Sequence, residues 1–239
     1  MLLPAHSHRD SDLDEPLVWA LEHHFASIEA DVWWVNGDLR IGHERSDAIS
    51  GRTLESVYLD RIFREARLGQ IAETVTLLVD IKNAPSRVYG TIHNQLRPYA
   101  DMLTRLDHGE VVPGSVRVVL SGERPIELAA QDANRLVFLD GRLPDIGADP
   151  RLFPTVSLDW PKMFDWNGEG AIPSHVEQCV RGLVEQTHAA GQTLRFWGTC
   201  EDPAMWSTLL NLGVDLINCD DVVAMTEFLA RRYPAEPSH

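Results

Sequence analysis

The 239-residue sequence has few of the features that mark disulfide-bonded, zinc-binding or membrane-spanning proteins. Its three cysteines, Cys179, Cys200 and Cys219, lie far apart without CxxC spacing, which argues against a disulfide scaffold and a zinc site. No window contains the roughly 18 apolar residues of a membrane-spanning helix, and the N-terminus lacks the basic and apolar segments of a signal peptide. We therefore expect a cytoplasmic protein without a transmembrane segment.

Positive charge is also scarce. The chain has 21 Lys and Arg residues against 36 Asp and Glu residues, and its formal net charge is -15. A surface of this sign repels polyanions, so the composition argues against a nucleic-acid partner. An anionic substrate would have to be bound by a local cluster of cations.

Short apolar runs alternate with amphipathic stretches along the whole chain. This alternation predicts parallel strands joined by crossover helices, and eight such units fit a single-domain (β/α)8 TIM barrel over residues 1–239. Among the predicted helices are residues 15–24, 88–106, 126–132, 174–190 and 221–232. The eight strand candidates are LLPAH, IEADVWWV, TVTLLVDIK, SVRVVLSG, RLVFLDG, LFPTVSLDW, TLRFWGT and VDLINCDD.

Two acidic residues, Glu29 and Asp31, interrupt the apolar run of the second strand candidate. Residues i and i+2 of a strand share a face, so the two carboxylates come together. On an inward face they would need a cation or paired hydrogen-bond donors between them, whereas on a half-exposed strand they would only be solvated. Asp80 and Lys82 repeat this spacing and offer a third carboxylate and an ammonium group.

Other polar residues also fall where strands end. His8 and Arg9 close the first strand candidate, and Trp197 closes the seventh. The catalytic groups of a TIM barrel lie at these C-terminal ends. His43 follows a hairpin at Asn36-Gly37, and we expect a bulged three-residue turn, because that register puts His43 on the face of Glu29 and Asp31.

Four segments together resemble the glycerophosphodiester phosphodiesterase and phospholipase-C-like phosphodiesterase superfamily. They are HSHRD, IEADVWWVNGDLRIGHE, LLVDIK and LRFWGTCEDPAMWSTLLNLGVDLINCDD, and their order and spacing cover nearly the whole chain. The chain departs from the family pattern in three places: Asp10 replaces the usual glycine, the PENT sequence is missing, and DxK replaces ExK. The last two departures resemble a divergent branch. That branch includes fungal mitochondrial-inheritance proteins and phospholipases D of spider venoms and actinobacteria.

The resemblance implies roles for the matched positions. It implies that the catalytic residues are His8 and His43. The cations that bind the substrate phosphate would be Arg9 and Lys82. The metal would be bound by Glu29, Asp31 and Asp80, and Trp197 would lie in the pocket wall. The metal is expected to be Mg²⁺ or Ca²⁺, because all its ligands are hard oxygens.

The implied activity is metal-dependent cleavage of a glycerophosphodiester or a phospholipid-like phosphodiester by acid/base catalysis. A lyase that releases a cyclic phosphate and a non-catalytic phosphoester-binding barrel are the alternatives. Either histidine could be the base. Trp160 and Trp166 lie in a long loop at the predicted catalytic end, where they either line the pocket for an apolar leaving group or pack within the loop.

Overall fold

The computed structural model describes residues 1–49 and 51–234 and has the predicted barrel architecture. Its strands are β1 (Leu3–Ser7), β2 (Phe25–Val35), β3 (Asp38–Ile41), β4 (Val75–Ile81), β5 (Arg105–Asp107), β6 (Glu110–Val112), β7 (Val116–Gly122), β8 (Phe138–Gly141), β9 (Thr155–Asp159), β10 (Thr193–Trp197) and β11 (Leu216–Cys219). Eight of these, all except β3, β5 and β6, pair in parallel in chain order. Since β1 pairs with both β2 and β11, the sheet closes on itself.

Helices surround this barrel. They are α1 (Val18–Glu22), α2 (Asp60–Arg67), α3 (Pro85–Leu96), α4 (Ile126–Gln131), α5 (Trp160–Met163), α6 (Ser174–Ala189), α7 (Pro203–Asn211) and α8 (Val222–Arg232). The outward residues of the strands, such as Ile28, Ala30 and Val32 of β2, are fully buried in the apolar core. Every helix in the described ranges is too short or too polar to cross a bilayer.

Two predicted helices are shorter than expected. The helix predicted for residues 15–24 begins only at Val18, and the helix predicted for residues 88–106 ends as α3 at Leu96. Pro98 follows within a 3-10 turn, and its missing N–H cannot continue the helical hydrogen bonds. The chain then forms the β5–β6 hairpin, which the sequence analysis missed.

The turn between β2 and β3 also differs from the prediction. Val35 pairs with Asp38, so Asn36 and Gly37 form a two-residue turn, and both have positive φ angles, 53° and 94°. The prediction of a bulged three-residue turn is therefore wrong. Asn-Gly is the preferred sequence for the tighter turn, because both residues tolerate the left-handed conformation that this turn needs.

Candidate active site

Three carboxylates meet at the C-terminal end of the barrel. Glu29 and Asp31 lie on the inward face of β2, and Asp80 of β4 is in register with Asp31. One oxygen of each carboxylate lies within 4.8 Å of the others. Lys82 follows β4, and its Nζ atom is 2.6 Å from both Asp31 Oδ1 and Asp80 Oδ2. The i, i+2 spacing of the sequence thus produces one compact cluster of charges.

The electrostatics of this acidic triad, Glu29, Asp31 and Asp80, suit a cation. Burial and the charge of Glu29 raise the pKa of Asp80, and Lys82 offsets this only in part. Asp31 Oδ1 is sealed from solvent and has no partner in hydrogen-bonding geometry among the described residues, although Lys82 lies close. Three hard oxygen donors with excess negative charge could hold a divalent cation such as Mg²⁺ or Ca²⁺.

His8 lies just beyond β1, between two carboxylates. Its Nδ1 atom is 2.5 Å from Asp220 Oδ1, and its Nε2 atom is 3.6 Å from Glu29 Oε2. Burial alone would lower the pKa of His8, but Asp220 and Glu29 outweigh it and raise that pKa. The hydrogen bond from His8 in turn lowers the pKa of Asp220. Asp220 therefore holds the His8 ring and stabilises its protonated form.

His43 reaches the acidic triad in spite of the two-residue turn. The regular pairing of β3 ends at Ile41, and the Gly42 N–H donates to the Asp31 carbonyl at 3.2 Å. The chain then leaves the strand, and His43 Nδ1 lies 3.5 Å from Asp31 Oδ2. A Cβ atom on Gly42 would lie only 2.8 Å from Ala48 N, so this bend needs glycine. The bend at Gly42, which the register of the turn does not predict, therefore brings His43 to Asp31.

His6, a further histidine, supports Glu29 from below. Its side chain is completely buried, with Nδ1 2.8 Å from Ser27 Oγ and Nε2 3.4 Å from Glu29 Oε2. Burial and the charge of Arg195 lower the pKa of His6 to about 3, so the ring is neutral. Burial alone would raise the pKa of Glu29, but the hydrogen bond from His6 and the neighbouring positive charges lower it. Glu29 is thus held as a carboxylate.

Arg9 is not part of this cluster. It is exposed, and its guanidinium Nε donates to Asp12 at 3.0 Å. Asp10, at the position where glycine was expected, is buried and accepts hydrogen bonds from Leu17 N and Tyr58 Oη. The segment after β1 therefore uses Asp10 as a structural anchor, and it directs Arg9 to the surface.

The three tryptophans predicted near the site occupy different environments. Trp160 is 2% exposed and packs edge-on against Phe196, so it belongs to the apolar core outside the barrel wall and does not line the pocket. Trp166 is half-buried beside it and donates from Nε1 to the Glu169 carbonyl. Trp197 alone occupies an inward position at a strand end, in register with Asp159.

Several polar residues near the site were not among those predicted from the sequence. Asp220 had one available signal, because it lies near the end of the last strand candidate and a closed barrel brings that strand beside β1. Arg195 of β10 is 4% exposed and donates to Ser157 Oγ and Asn218 Oδ1, at 3.0 and 2.7 Å. Its only signal is a charged residue at an inward position of an apolar strand.

Two family models match parts of this chain. The model of the AIM6-like phosphodiesterase domain matches residues 1–67 and 68–140, and that of the glycerophosphoryl diester phosphodiesterase family matches residues 193–222. An "altered inheritance of mitochondria protein 6 homolog" from Arthroderma benhamiae is 30% identical, over 93% of this chain and 82% of that protein. The Eremothecium gossypii "altered inheritance of mitochondria protein 6" is 27% identical, over 95% of this chain and 70% of that protein.

Solved structures share the fold at low sequence identity. An Oleispira antarctica phosphodiesterase in complex with the product sn-glycerol-3-phosphate aligns with a TM-score of 0.58 at 12% identity, over 95% of this chain and 97% of that one. The phosphatidylinositol-specific phospholipase C of Listeria monocytogenes aligns with a TM-score of 0.54 at 13% identity, over 98% of this chain and 93% of that one. Both are barrels like this one.

Proposed function

The chain belongs to the AIM6-like phosphodiesterase domain family, and on this premise we propose that it cleaves phosphodiesters with the help of a divalent metal ion. The observation that carries the proposal is the acidic triad with Lys82, flanked by His8 and His43 at the C-terminal end of the barrel. Cleavage of a phosphodiester needs an electrophilic group at the phosphate and proton transfer at two oxygens. These side chains are of the types that meet both needs.

His8 is the residue that we assign to the first proton transfer. Asp220 binds Nδ1 and leaves Nε2 facing the triad, so Nε2 can accept the proton of the attacking oxygen. Asp220 and Glu29 stabilise the imidazolium that forms, as a carboxylate does beside other catalytic histidines. His43, beside Asp31, then donates a proton to the leaving alkoxide.

The acids and the lysine act on the phosphate group. A divalent cation held by Glu29, Asp31 and Asp80 would polarise a phosphoryl oxygen and offset the negative charge that develops in the transition state. Lys82, whose ammonium lies between Asp31 and Asp80, supplies a fixed positive charge at the same place. Asp80 and Asp31 outweigh the effect of burial and raise the pKa of Lys82, so it stays charged at neutral pH.

The substrate that we propose is a glycerophosphodiester or a phospholipid-like diester. The related fold from Oleispira antarctica holds sn-glycerol-3-phosphate as its product, a small phosphomonoester. In this chain the attacking oxygen would be either water, which gives a phosphomonoester, or a neighbouring hydroxyl of the substrate, which gives a cyclic phosphate. The same residues serve both reactions, because each needs one base and one acid.

A product assay tests the proposal. The wild-type protein and His8→Ala are incubated with glycerophosphodiesters, lysophospholipids and an aryl phosphodiester, with Mg²⁺ or with EDTA, and ³¹P NMR identifies the product. We expect turnover that requires the metal and falls about 10²- to 10⁴-fold in His8→Ala. His175→Ala is the matched control, because His175 is exposed on α6. A folded, metal-loaded protein that turns over none of these diesters would contradict the proposal.

A further inference from the structure

Arg195 lies beneath the acidic triad, inside the barrel. Its Cα atom is in register with Ser157 of β9, two residues below Trp197 along β10. The guanidinium Nη1 atom reaches Asn218 Oδ1 at 2.7 Å, and Asn218 is in register with His6. An arginine that starts low on β10 therefore brings its charge up to the layer directly below His8 and Glu29.

This buried charge has no carboxylate partner among the described residues. The two side chains that bind Arg195, Ser157 and Asn218, are neutral. A guanidinium that is 4% exposed would normally lie against an acid, because an uncompensated buried charge is costly. A protein that keeps such a charge beside its candidate active site has positive potential available for an anion.

The neighbouring acid orients Arg195 without pairing with it. Ser157 Oγ donates its hydrogen to Asp140 Oδ1 at 2.7 Å, so toward Arg195 Nε it can only accept. Asp140 is itself engaged by Arg142 at 2.6 Å and by Ser121 at 2.8 Å. The chain of hydrogen bonds from Asp140 through Ser157 thus fixes the guanidinium plane.

One nitrogen of Arg195 remains available. Nη2 makes no hydrogen bond within residues 1–49 and 51–234, and it is not among the unpartnered atoms that are sealed from solvent. The Nη1 atom of Arg195 lies at the level of His6 and Ser27, two residues below Glu29 along β2, so the positive charge acts on the site above. The guanidinium group therefore lies beneath the place where the proposed function puts the phosphate.

We propose that Arg195 binds a non-bridging oxygen of the substrate phosphate from the floor of the pocket. This inference rests on the proposed function, and it gives to Arg195 the part that the sequence suggested for Arg9, which is paired with Asp12 at the surface. Lys82 lies between two acids, so much of its charge is neutralised in place. Arg195 forms no ion pair with an acid of residues 1–49 and 51–234, so it attracts a phosphate monoanion more strongly than Lys82 does.

Binding measurements with glycerol 3-phosphate test this assignment without requiring turnover. Calorimetry measures the affinity of wild type, Arg195→Gln and Arg195→Lys for glycerol 3-phosphate in saturating Mg²⁺, and separately their affinity for Mg²⁺. In Arg195→Gln we expect phosphate binding to weaken by about 10- to 100-fold, as for the loss of a charged hydrogen bond. Mg²⁺ affinity should stay equal or increase, because a positive charge near Glu29 is gone, and Arg195→Lys should recover part of the phosphate affinity.

The matched control is Arg135→Lys, since Arg135 is also 4% exposed but lies at the other end of the barrel. It should leave both affinities unchanged.

Ser157→Ala keeps Arg195 but removes the acceptor of its Nε atom. We expect a loss of about 3- to 10-fold in phosphate affinity, and this variant remains a test even if Arg195→Gln does not fold. Phosphate and Mg²⁺ affinities that fall together would mean a purely structural role and overturn the inference, as would unchanged phosphate binding in Arg195→Gln.

These outcomes are separable from failure of the proposed function. A wild-type protein that binds Mg²⁺ and glycerol 3-phosphate but cleaves no diester would refute the enzyme proposal, and the variants would still report on Arg195. Conversely, diester cleavage by the wild type together with wild-type phosphate affinity in Arg195→Gln would refute only the role of Arg195.

Discussion

The two ends of the barrel both bury arginine, but they use it differently. At the N-terminal end, Arg135 donates to the backbone carbonyls of Asp132 and Arg151 and lies 5.7 Å from the ring centre of Phe138. At the C-terminal end, Arg195 donates to Ser157 and Asn218, and its Nη2 atom has no hydrogen-bond partner in the described part of the chain. The two side chains are equally buried, at 4% exposure, so the difference lies in their partners.

The partners show what each charge contributes. Backbone carbonyls need donors in any fold, so an arginine that serves them holds loops together. Arg195 binds only side chains, so it satisfies no backbone group of the fold. Above it, the acidic triad brings three negative charges close together. The comparison indicates that the N-terminal end is built for stability, while the C-terminal end retains charges that a purely structural barrel would not need.

The largest effect is expected at the triad. Asp80→Asn should lower kcat/KM by about 10³-fold or more, because loss of a metal ligand removes several kcal/mol of transition-state stabilisation. The same variant should be more stable than wild type without metal. Burial and Glu29 raise the pKa of Asp80, so its ionised form is disfavoured in the folded state. Protonated Asp80 stabilises the folded wild-type protein, and this stabilisation is lost as the pH rises through the folded-state pKa of Asp80. The asparagine variant stays neutral and shows no such loss.

Kinetics with Mg²⁺ and urea unfolding in EDTA at pH 5 and pH 8 measure both effects of Asp80→Asn. The stability gain over wild type should be greater at pH 8. A variant that is less stable than wild type at pH 8 in EDTA would show that the carboxylate of Asp80 supports the fold, and the contrast between the two barrel ends would fail.

The sequence predicted the barrel and the acidic triad because both follow from short-range periodicity. Glu29 with Asp31 and Asp80 with Lys82 are i, i+2 pairs, and strand geometry alone brings each pair to one face. The parallel order of the strands then sets Asp31 beside Asp80. These patterns involve residues close together in the chain, so they can be recognised in a single sequence without knowledge of distant contacts.

Other features depend on contacts between distant parts of the chain. The pairing of Asp220 with His8 spans 212 positions and needs closure of β11 against β1. Arg195 can be recognised only once Ser157 and Asn218 surround it. The β5–β6 hairpin was missed because its strands have three residues each, too few for a periodic pattern. The placement of His43 depends on a bend at Gly42 that no turn rule describes.

A smaller effect is expected from Arg135 at the N-terminal end. Arg135→Met should lower the free energy of unfolding by about 1–3 kcal/mol, because two partly buried backbone carbonyls lose a charged donor. It should leave kcat/KM unchanged, since Arg135 lies far from the triad. Urea unfolding measures the first effect and a diester assay the second. Arg231→Met is the control, because Arg231 is exposed on α8 and should cost little. A loss of activity in a folded Arg135→Met protein would break the contrast.

The smallest effects are expected from the two hairpins. The β2–β3 hairpin at the C-terminal end and the β5–β6 hairpin at the N-terminal end each have a two-residue turn whose second residue is glycine. Gly37 and Gly109 have φ angles of 94° and 83°, and a Cβ atom on either would meet nothing within 4 Å. Alanine at each position should therefore cost about 1 kcal/mol of stability through backbone strain alone. Only Gly37→Ala should also lower kcat/KM, because β3 leads directly to Gly42 and His43. The expected loss is about 2- to 5-fold, since about 1 kcal/mol of strain corresponds to roughly 5-fold in rate. Equal activity losses in both variants would mean that the C-terminal hairpin has no special part in positioning His43.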